Sequence, residues 1–378
     1  NMKLKADGAI QITGSHNPPT HNGFKMLMDN TVFYGNDIKE LGEVCSNGIN
    51  GQPGGSFVEI KIFDEYVNRI LNNAVSGDYT VIWDCGNGAA GPATEAVTRQ
   101  LSGHHKVLFS DIDGTFPNHH PNPVDPKTLD ILRKEVESNS ADLGIGFDGD
   151  GDRIGIIDAK GRQLTGDFLT AFLAQDIVKR NPNVPIILDI KSSDMAIEIL
   201  NACGAETQLW KTGHSNIKSR MLEVGSALGG EMSGHIFIKD DFYGFDDALY
   251  VAIRVLSQMA KTGETITDFI DRLATQYATP ELRFECDDSE KFGIVELITL
   301  YAKEHFPDYN LTLIDGVRVR NDDGWWLVRA SNTEAALVVR AEARSEASLS
   351  KLTQDIRAAL NFAGQTVGSD FFQQSSNF

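Results

Sequence analysis

The chain has 378 residues, 41% hydrophobic and 23% charged, a composition ordinary for a folded globular protein of roughly two to four domains. Its formal net charge of -19 excludes the basic face that nucleic-acid binding wants. It also gives an anionic substrate no help from the overall field, so any phosphate site must be local and built from clustered Lys and Arg. No run approaches the roughly 18 apolar residues of a membrane span, and the first residues lack a secretory apolar stretch. Cys45, Cys85, Cys203 and Cys286 are far apart with no CxxC. They read as buried thiols in a reducing compartment, and the cytoplasm is the expected location.

In chain order, residues 8–14 (GAIQITG) predict a short strand ending at a turn, Ser15-His16-Asn17-Pro18-Pro19, with GFKM after it. A serine needs a base or a phosphate donor to act as a nucleophile; His16 adjoins it and Lys25 follows on the same loop. Residues 46–56 are Gly/Ser-rich and read as a surface loop, and an amphipathic helix follows at 63–72. From Tyr79 the spacing predicts strand TVIWD, a loop, a helix over 93–101, a strand over 106–109, a Pro-rich loop and a helix over 127–136. His119-His120, in the Pro-rich loop, read as surface rather than as a metal site. Strand–loop–helix alternation indicates an α/β layer fold with a largely parallel sheet.

A further unit runs through a helix at 166–179, a strand at 184–190 ending in Lys191, a helix at 195–201 and a strand at 206–210. Then come Lys211-Thr212-Gly213-His214, a helix at 216–224, the polar loop Gly229 to His235, strand IFIK and a helix at 245–260. Each polar cluster stands at a strand end, where open α/β sheets bind ligands. The last unit differs, with a helix at 291–305, strands at 311–315, 317–321 and 325–330, the turn Arg329 to Glu334, a strand at 335–343 carrying Arg340, and a helix at 346–362. An Arg beside Ser, Asn and Thr supplies fork donors, hydroxyls and free amides suited to phosphate.

The most informative stretch is 141–158, ADLGIGFDGDGDRIGIID. Apolar runs flank Asp148, Asp150 and Asp152, as for two strands joined by a tight acidic loop. In an extended loop, residues i, i+2 and i+4 point one way, so the three carboxylates converge and call for a hard cation such as Mg²⁺ or Ca²⁺. An EF-hand would need Gly and Glu where Arg153 and Ala159 stand. A dinucleotide fingerprint would place its last glycine, Gly149, between aspartates that repel a pyrophosphate. A merely solvated acidic turn does not explain the apolar strands on each side.

Taken together, Thr13-Gly14-Ser15-His16-Asn17-Pro18 with Lys25, Asp148 to Arg153, Gly230-Glu231-Met232-Ser233-Gly234-His235 and Arg329-Ala330-Ser331-Asn332-Thr333 resemble the α-D-phosphohexomutases, in the order that family shows. Lys191 and Lys211 to His214 also fit, and the resemblance runs from about Gly8 to the C-terminus. It implies three related α/β units with mixed sheets, the first incomplete, and a C-terminal TBP-like α+β domain around a central cleft. The expected spans are 1–59, 60–162, 163–276 and 277–378. The family's pattern also has elements before the serine loop, so the chain reads as N-terminally truncated. Position 14 is Gly where the family usually has Ala or a similar small residue.

The resemblance implies reversible phosphoryl transfer between C1 and C6 of mannose and glucose phosphates, through phospho-Ser15 and a hexose 1,6-bisphosphate, which also serves as activator. Ser15, Asp148, Asp150 and Asp152 would hold Mg²⁺. Lys25, Arg153, Lys191, His214 and His235 would line the reacting centre, with Lys25 or a histidine moving protons. Glu231 and Ser233, with His235 and Lys191, would contact the sugar. Arg329, Ser331, Asn332 and Thr333 would grip the non-reacting phosphate, and Arg340 would also bind substrate. A phosphoserine of about -1.5 to -2 beside three aspartates requires such a cation and nearby Lys and Arg. The implied partners are small hexose phosphates, with no nucleic acid and no membrane, in a monomer or dimer. Glucosamine mutases commonly carry Gln at the Met232 position, so phosphoglucosamine mutase is the alternative, together with an inactive fragment that only binds sugar phosphate and metal.

Overall fold

The computed structural model describes residues 3–15, 17, 20–29, 31–48, 51, 53–368, 371–372 and 376–377. His16, Pro18 and Pro19 of the serine turn lie outside them. The first unit is an antiparallel sheet of β1 (Gly8–Ile12), β2 (Phe24–Met28) and β3 (Thr31–Phe33), followed by α1 (Asn36–Ser46). Ile10, Ile12 and Phe24 on this sheet are exposed.

The second unit contains α2 (Phe63–Leu71), β4 (Tyr79–Asp84), α3 (Gly91–Thr98), β5 (Gly103–Leu108), α4 (Asp130–Ser138), β6 (Leu143–Phe147), β7 (Ile154–Asp158) and β8 (Gln163–Leu164). Its sheet order is β5-β4-β6-β7-β8. The third contains α5 (Gly166–Arg180), β9 (Pro185–Asp189), α6 (Asp194–Ala202), β10 (Glu206–Trp210), α7 (His214–Val224), β11 (Leu228–Gly230), β12 (Ile236–Ile238), α8 (Ala248–Thr262) and α9 (Ile266–Asp271), with sheet order β10-β9-β11-β12.

These two sheets share one plan. Three strands run parallel through helical crossovers, and the next joins by an antiparallel hairpin, β6–β7 or β11–β12. The expectation of a largely parallel sheet is therefore corrected: half of the strand pairings in the second unit are antiparallel. Both antiparallel hairpins carry candidate site loops at their tips. A hairpin can bring two strand ends and a tight loop to one place, which a crossover helix cannot. The second sheet also runs on to Leu164, two residues past the expected boundary.

The fourth unit has β13 (Tyr277–Ala278), β14 (Leu282–Glu285), α10 (Lys291–His305), β15 (Asn310–Thr312), β16 (Val317–Asn321), β17 (Gly324–Ala330), β18 (Ala336–Ala343), α11 (Glu346–Phe362) and β19 (Ser376–Asn377). All its strand pairings are antiparallel. Period-two alternation along β17 serves two cores. Trp326 and Val328 pack with the side that holds α10 and α11, while Trp325 and Leu327 meet Ile190 of the third unit. Units two and three share one continuous core, into which α8 packs between α2, α5 and β7.

Local chemistry sets the helix ends. Ser193, Asp247, Thr265 and Ser345 accept backbone N–H groups at the starts of α6, α8, α9 and α11, and Gly263 ends α8 in the left-handed conformation. Pro92 is preorganised for a first turn, so α3 begins at Gly91 rather than 93. Two surface expectations fail. Cys45 is exposed on α1, a helix the sequence reading did not place, and only Cys85 of the four thiols is fully buried. His119 is not a loop-surface residue, because its Nε2 meets both carboxylate oxygens of buried Asp84 at 3.0 and 2.9 Å. Burial works to lower its pKa and Asp84 outweighs that, leaving it raised.

Candidate active site

The acidic loop is a tight turn, not an extended segment. Asp148 Oδ1 accepts the backbone N–H groups of Gly151, Asp152 and Arg153, each at 3.1 Å, which wraps the chain around that carboxylate. The convergence expected from alternation holds, but the wrapping produces it: one oxygen from each of Asp148, Asp150 and Asp152 lies within 4.8 Å of the others. Asp148 Oδ2 is held by Arg153 Nε at 3.0 Å. Both β6 and β7 are buried along their whole length, which fixes the loop at a rigid strand end.

The serine turn docks on this loop. Ser15 Oγ donates to Asp148 Oδ2 at 3.0 Å, and Thr13 Oγ donates to Asp150 Oδ2 at 2.8 Å. Lys25 on β2 reaches Asp150 Oδ2 at 3.0 Å and also Asp152. Burial pulls the Lys25 pKa down, but Asp152 and Asp150 outweigh it, so the ammonium is held charged. Asp152 is pushed up to about 7, chiefly by burial. His235 and Lys25 oppose that shift, while Asp148 and Asp246 add to it. Asp150 Oδ1 is buried with no hydrogen-bond partner. An all-oxygen set with an unpaired buried oxygen and a crowded carboxylate fits a hard cation.

The third-unit loop lies against the same place. The backbones of Arg153 and His235 bridge, and Ile154 N donates to Gly234 O at 3.0 Å. Gly234 has φ +88°, and a Cβ there would stand 2.5 Å from Ile154 O, so the approach needs glycine. His235 Nδ1 is 3.5 Å from Asp152 and 3.1 Å from Asp246. Burial would lower its pKa, yet Asp152, Asp246 and Glu231 raise it to about 9. His214, whose ring centre is 6.0 Å away, is pushed down to about 4 by burial and by Lys218. One imidazole is thus charged and its neighbour neutral, a division suited to acid and base roles.

Glu231 is 2% exposed; it accepts from Gly213 N at 2.6 Å and from Ser233 Oγ at 3.1 Å, so the pair expected to read the sugar is preassembled. Lys191 pairs with Glu281 at 2.8 Å. In the fourth unit, Arg329 Nε donates to Asp315 at 2.9 Å while its Nη2 is buried without a partner. Ser331 Oγ accepts the N–H groups of Thr333 and Glu334, and Asn332 Nδ2 donates to Thr212 O at 3.3 Å. Arg340 is buried, as Arg329 and Ser331 are, and contacts the Lys191 carbonyl and Met232 Sδ, bracing the sugar loop.

Sequence reasoning quoted Thr13 in the serine motif without giving it a role, and missed Asp246, Lys218, Asp315 and Glu281, all of which touch these groups. Asp246 could have been found, since Asp246-Asp247 precedes α8 as an acidic helix start. The others are recognisable only through tertiary contacts.

Four family descriptions match in order: Phosphoglucomutase/phosphomannomutase alpha/beta/alpha domain I at 2–46, domain II at 64–161, domain III at 165–277, and the C-terminal domain at 281–359. A phosphomannomutase/phosphoglucomutase of Pseudomonas putida is 38% identical over 358 residues, 94% of this chain and 77% of the relative. A phosphoglucomutase of Neisseria meningitidis is 36% identical over 93% of this chain and 77% of its own length. A crystal structure of a phosphoglucomutase/phosphomannomutase family protein from Burkholderia thailandensis superposes with a TM-score of 0.89 at 36% identity, covering 96% of this chain and 78% of that one. Among the described residues, no helix is long and apolar enough to cross a membrane.

Proposed function

We propose a function from one premise: the chain belongs to the phosphoglucomutase/phosphomannomutase family. It is an isomerase that interconverts the 1- and 6-phosphates of glucose and of mannose. The observation that carries this reading onto named residues is the 3.0 Å hydrogen bond from Ser15 Oγ to Asp148, at the edge of the three-carboxylate cluster.

Ser15 is the phosphoryl carrier. Its P–Oγ bond breaks as a hydroxyl of the bound hexose monophosphate forms a new P–O bond, giving a hexose 1,6-bisphosphate. The hydroxyl's proton leaves and Ser15 Oγ takes one up. The bisphosphate turns over in the site, and its other phosphoryl group returns to Ser15. Asp148, Asp150 and Asp152 would hold Mg²⁺, which when bound offsets phosphoryl negative charge and polarises the phosphorus.

The chain's own groups supply the rest. Lys25, kept charged, neutralises the carboxylates and faces the transferred group. His214, neutral, is the proton acceptor, and His235, charged, is the donor. The buried Nη2 atoms of Arg153 and Arg329 have no hydrogen-bond partner, one beside Ser15's acceptor and one in the fourth unit. Two unpaired guanidinium donors at separate places suit a substrate that must be held at both ends. Glu231 and Ser233 read the sugar hydroxyls. Arg340 acts through Met232 rather than on phosphate.

The test is isomerisation of glucose 1-phosphate and mannose 1-phosphate with Mg²⁺ and a trace of hexose 1,6-bisphosphate as activator. Turnover of both sugars that disappears in Ser15→Ala supports the reading. Turnover that survives in Ser15→Ala overturns the carrier assignment.

A further inference from the structure

Beside the acidic loop, three buried atoms have no partners but one another: His235 Nδ1 lies between Asp152 Oδ1 and Asp246 Oδ2. Each residue already has its other polar work done elsewhere. Asp152 Oδ2 is taken by Lys25 and Asp246 Oδ1 by Lys218 at 2.9 Å, while the His235 backbone N–H and C=O belong to the hairpin contacts with Arg153 and Glu231. Asp152 and Asp246 are each 9% exposed, so water does not satisfy these oxygens freely. Two carboxylate oxygens and an imidazole nitrogen thus converge on one point, where a divalent cation can take the place of the imidazole proton between the two carboxylates.

The separations define that occupant. His235 Nδ1 is 3.5 Å from Asp152 Oδ1 and 3.1 Å from Asp246 Oδ2, and all three ligand atoms lie within 4.8 Å of one another. Zinc takes imidazole nitrogen and carboxylate oxygen at about 2.0–2.2 Å, which separates neighbouring ligand atoms by about 3.0–3.5 Å across tetrahedral to octahedral angles. One imidazole and two carboxylates form a mixed N/O set that suits zinc or cobalt, whereas the all-oxygen set of Asp148, Asp150 and Asp152 suits magnesium.

We propose that Asp152, His235 and Asp246 form a second divalent-cation site for a borderline transition metal such as Zn²⁺, joined to the three-aspartate site through the two oxygens of Asp152. The pair resembles in outline a carboxylate-bridged two-metal arrangement. An ion there occupies His235 Nδ1, so it inhibits the mutase and is not relieved by Mg²⁺. The proposal rests on the active-site reading only in sharing Asp152, and zinc binding is measured without turnover.

The experiment titrates Zn²⁺ into the full chain in saturating Mg²⁺ by calorimetry, and records zinc X-ray absorption on the loaded protein. The expected result is one Zn²⁺ per chain with one imidazole in its shell. Asp246→Asn weakens Zn²⁺ at least tenfold and leaves Mg²⁺ affinity within twofold. Asp148→Asn does the reverse. His235→Gln, checked for a wild-type circular-dichroism spectrum, removes the imidazole signal. Absence of zinc binding under Mg²⁺ saturation overturns the proposal. So does zinc that Asp148→Asn abolishes and Asp246→Asn spares, because it then sits in the first site. Mutase activity lost with both metals still bound would instead count against the catalytic assignments and leave the second site standing.

Discussion

Ser15 and Asp148 meet at 3.0 Å although 133 positions separate them, and Gly149 is what lets them meet. A Cβ on Gly149 would stand 2.2 Å from the Ser15 carbonyl oxygen, a backbone atom that cannot swing aside. Gly149→Ala therefore pushes the serine turn off the acidic loop while leaving both sheets intact. We expect kcat/KM to fall about 100-fold, the usual cost of misplacing a reacting group by about 1 Å. The thermal unfolding of the large core is expected to shift little. Unchanged kinetics would show that the serine turn does not need this close approach.

The three aspartates have unequal structural duties. Asp148 is fully buried, and its oxygens serve three backbone N–H groups, Arg153 Nε and Ser15 Oγ. Asp150 is partly exposed and bonds only side chains. Asp148→Ala strands those donors and should cost about 3–5 kcal/mol in denaturant unfolding. Asp150→Asn should cost about 1 kcal/mol or less. Both should abolish Mg²⁺ binding in calorimetry. Equal destabilisation by the two would contradict the wrapped-loop account.

Much of this site was legible because its motifs are local. The Asp148-Gly149-Asp150-Gly151-Asp152 run, the Glu231-Met232-Ser233 loop and the Arg329 turn each lie within a few residues, and chain order alone identified the set. Helices α10 and α11 and strands β10 and β16 fall where periodicity places them. What was not legible depends on tertiary contact. Alternation suggested an extended acidic loop, whereas three backbone donors wrap it around Asp148. His119 looked like loop surface because nothing local reveals Asp84, 35 positions away. Arg340 was expected to bind substrate, and the pattern of its strand cannot show that its guanidinium also meets Met232.

Arg329 offers its free Nη2 while Nε is fixed by Asp315 at 2.9 Å. Lysine can replace the charge but not hold Asp315 and a phosphate through one rigid fork. Arg329→Lys is expected to raise KM for glucose 1-phosphate about tenfold with kcat changed less than threefold, because the clamp acts in ground and transition states alike. A fall confined to kcat would place Arg329 at the reacting phosphate instead.

Lys191 and Glu281 tie the third unit to the fourth at 2.8 Å, and the pair has a definite pH signature. Burial alone would raise the Glu281 pKa, but Lys191 outweighs it and holds it at about 2, against an ordinary 4.5. A depressed carboxylate contributes stability that is fully present above the unfolded pKa and lost as pH falls through the folded one. Lys191 is shifted upward, so its share persists below its ordinary value near 10.5 and is lost only on going more alkaline. The pair therefore stabilises most between about pH 5 and pH 10, by an amount on the order of 3 kcal/mol. Glu281→Gln should melt below the wild type at pH 7, and the gap should narrow steadily from pH 4.5 toward pH 2, followed by tryptophan fluorescence. Trp325, buried at the same junction, contributes to that signal together with Trp83, Trp210 and Trp326. A gap that stays constant from pH 7 to pH 3 would mean that Glu281 acts through packing rather than charge.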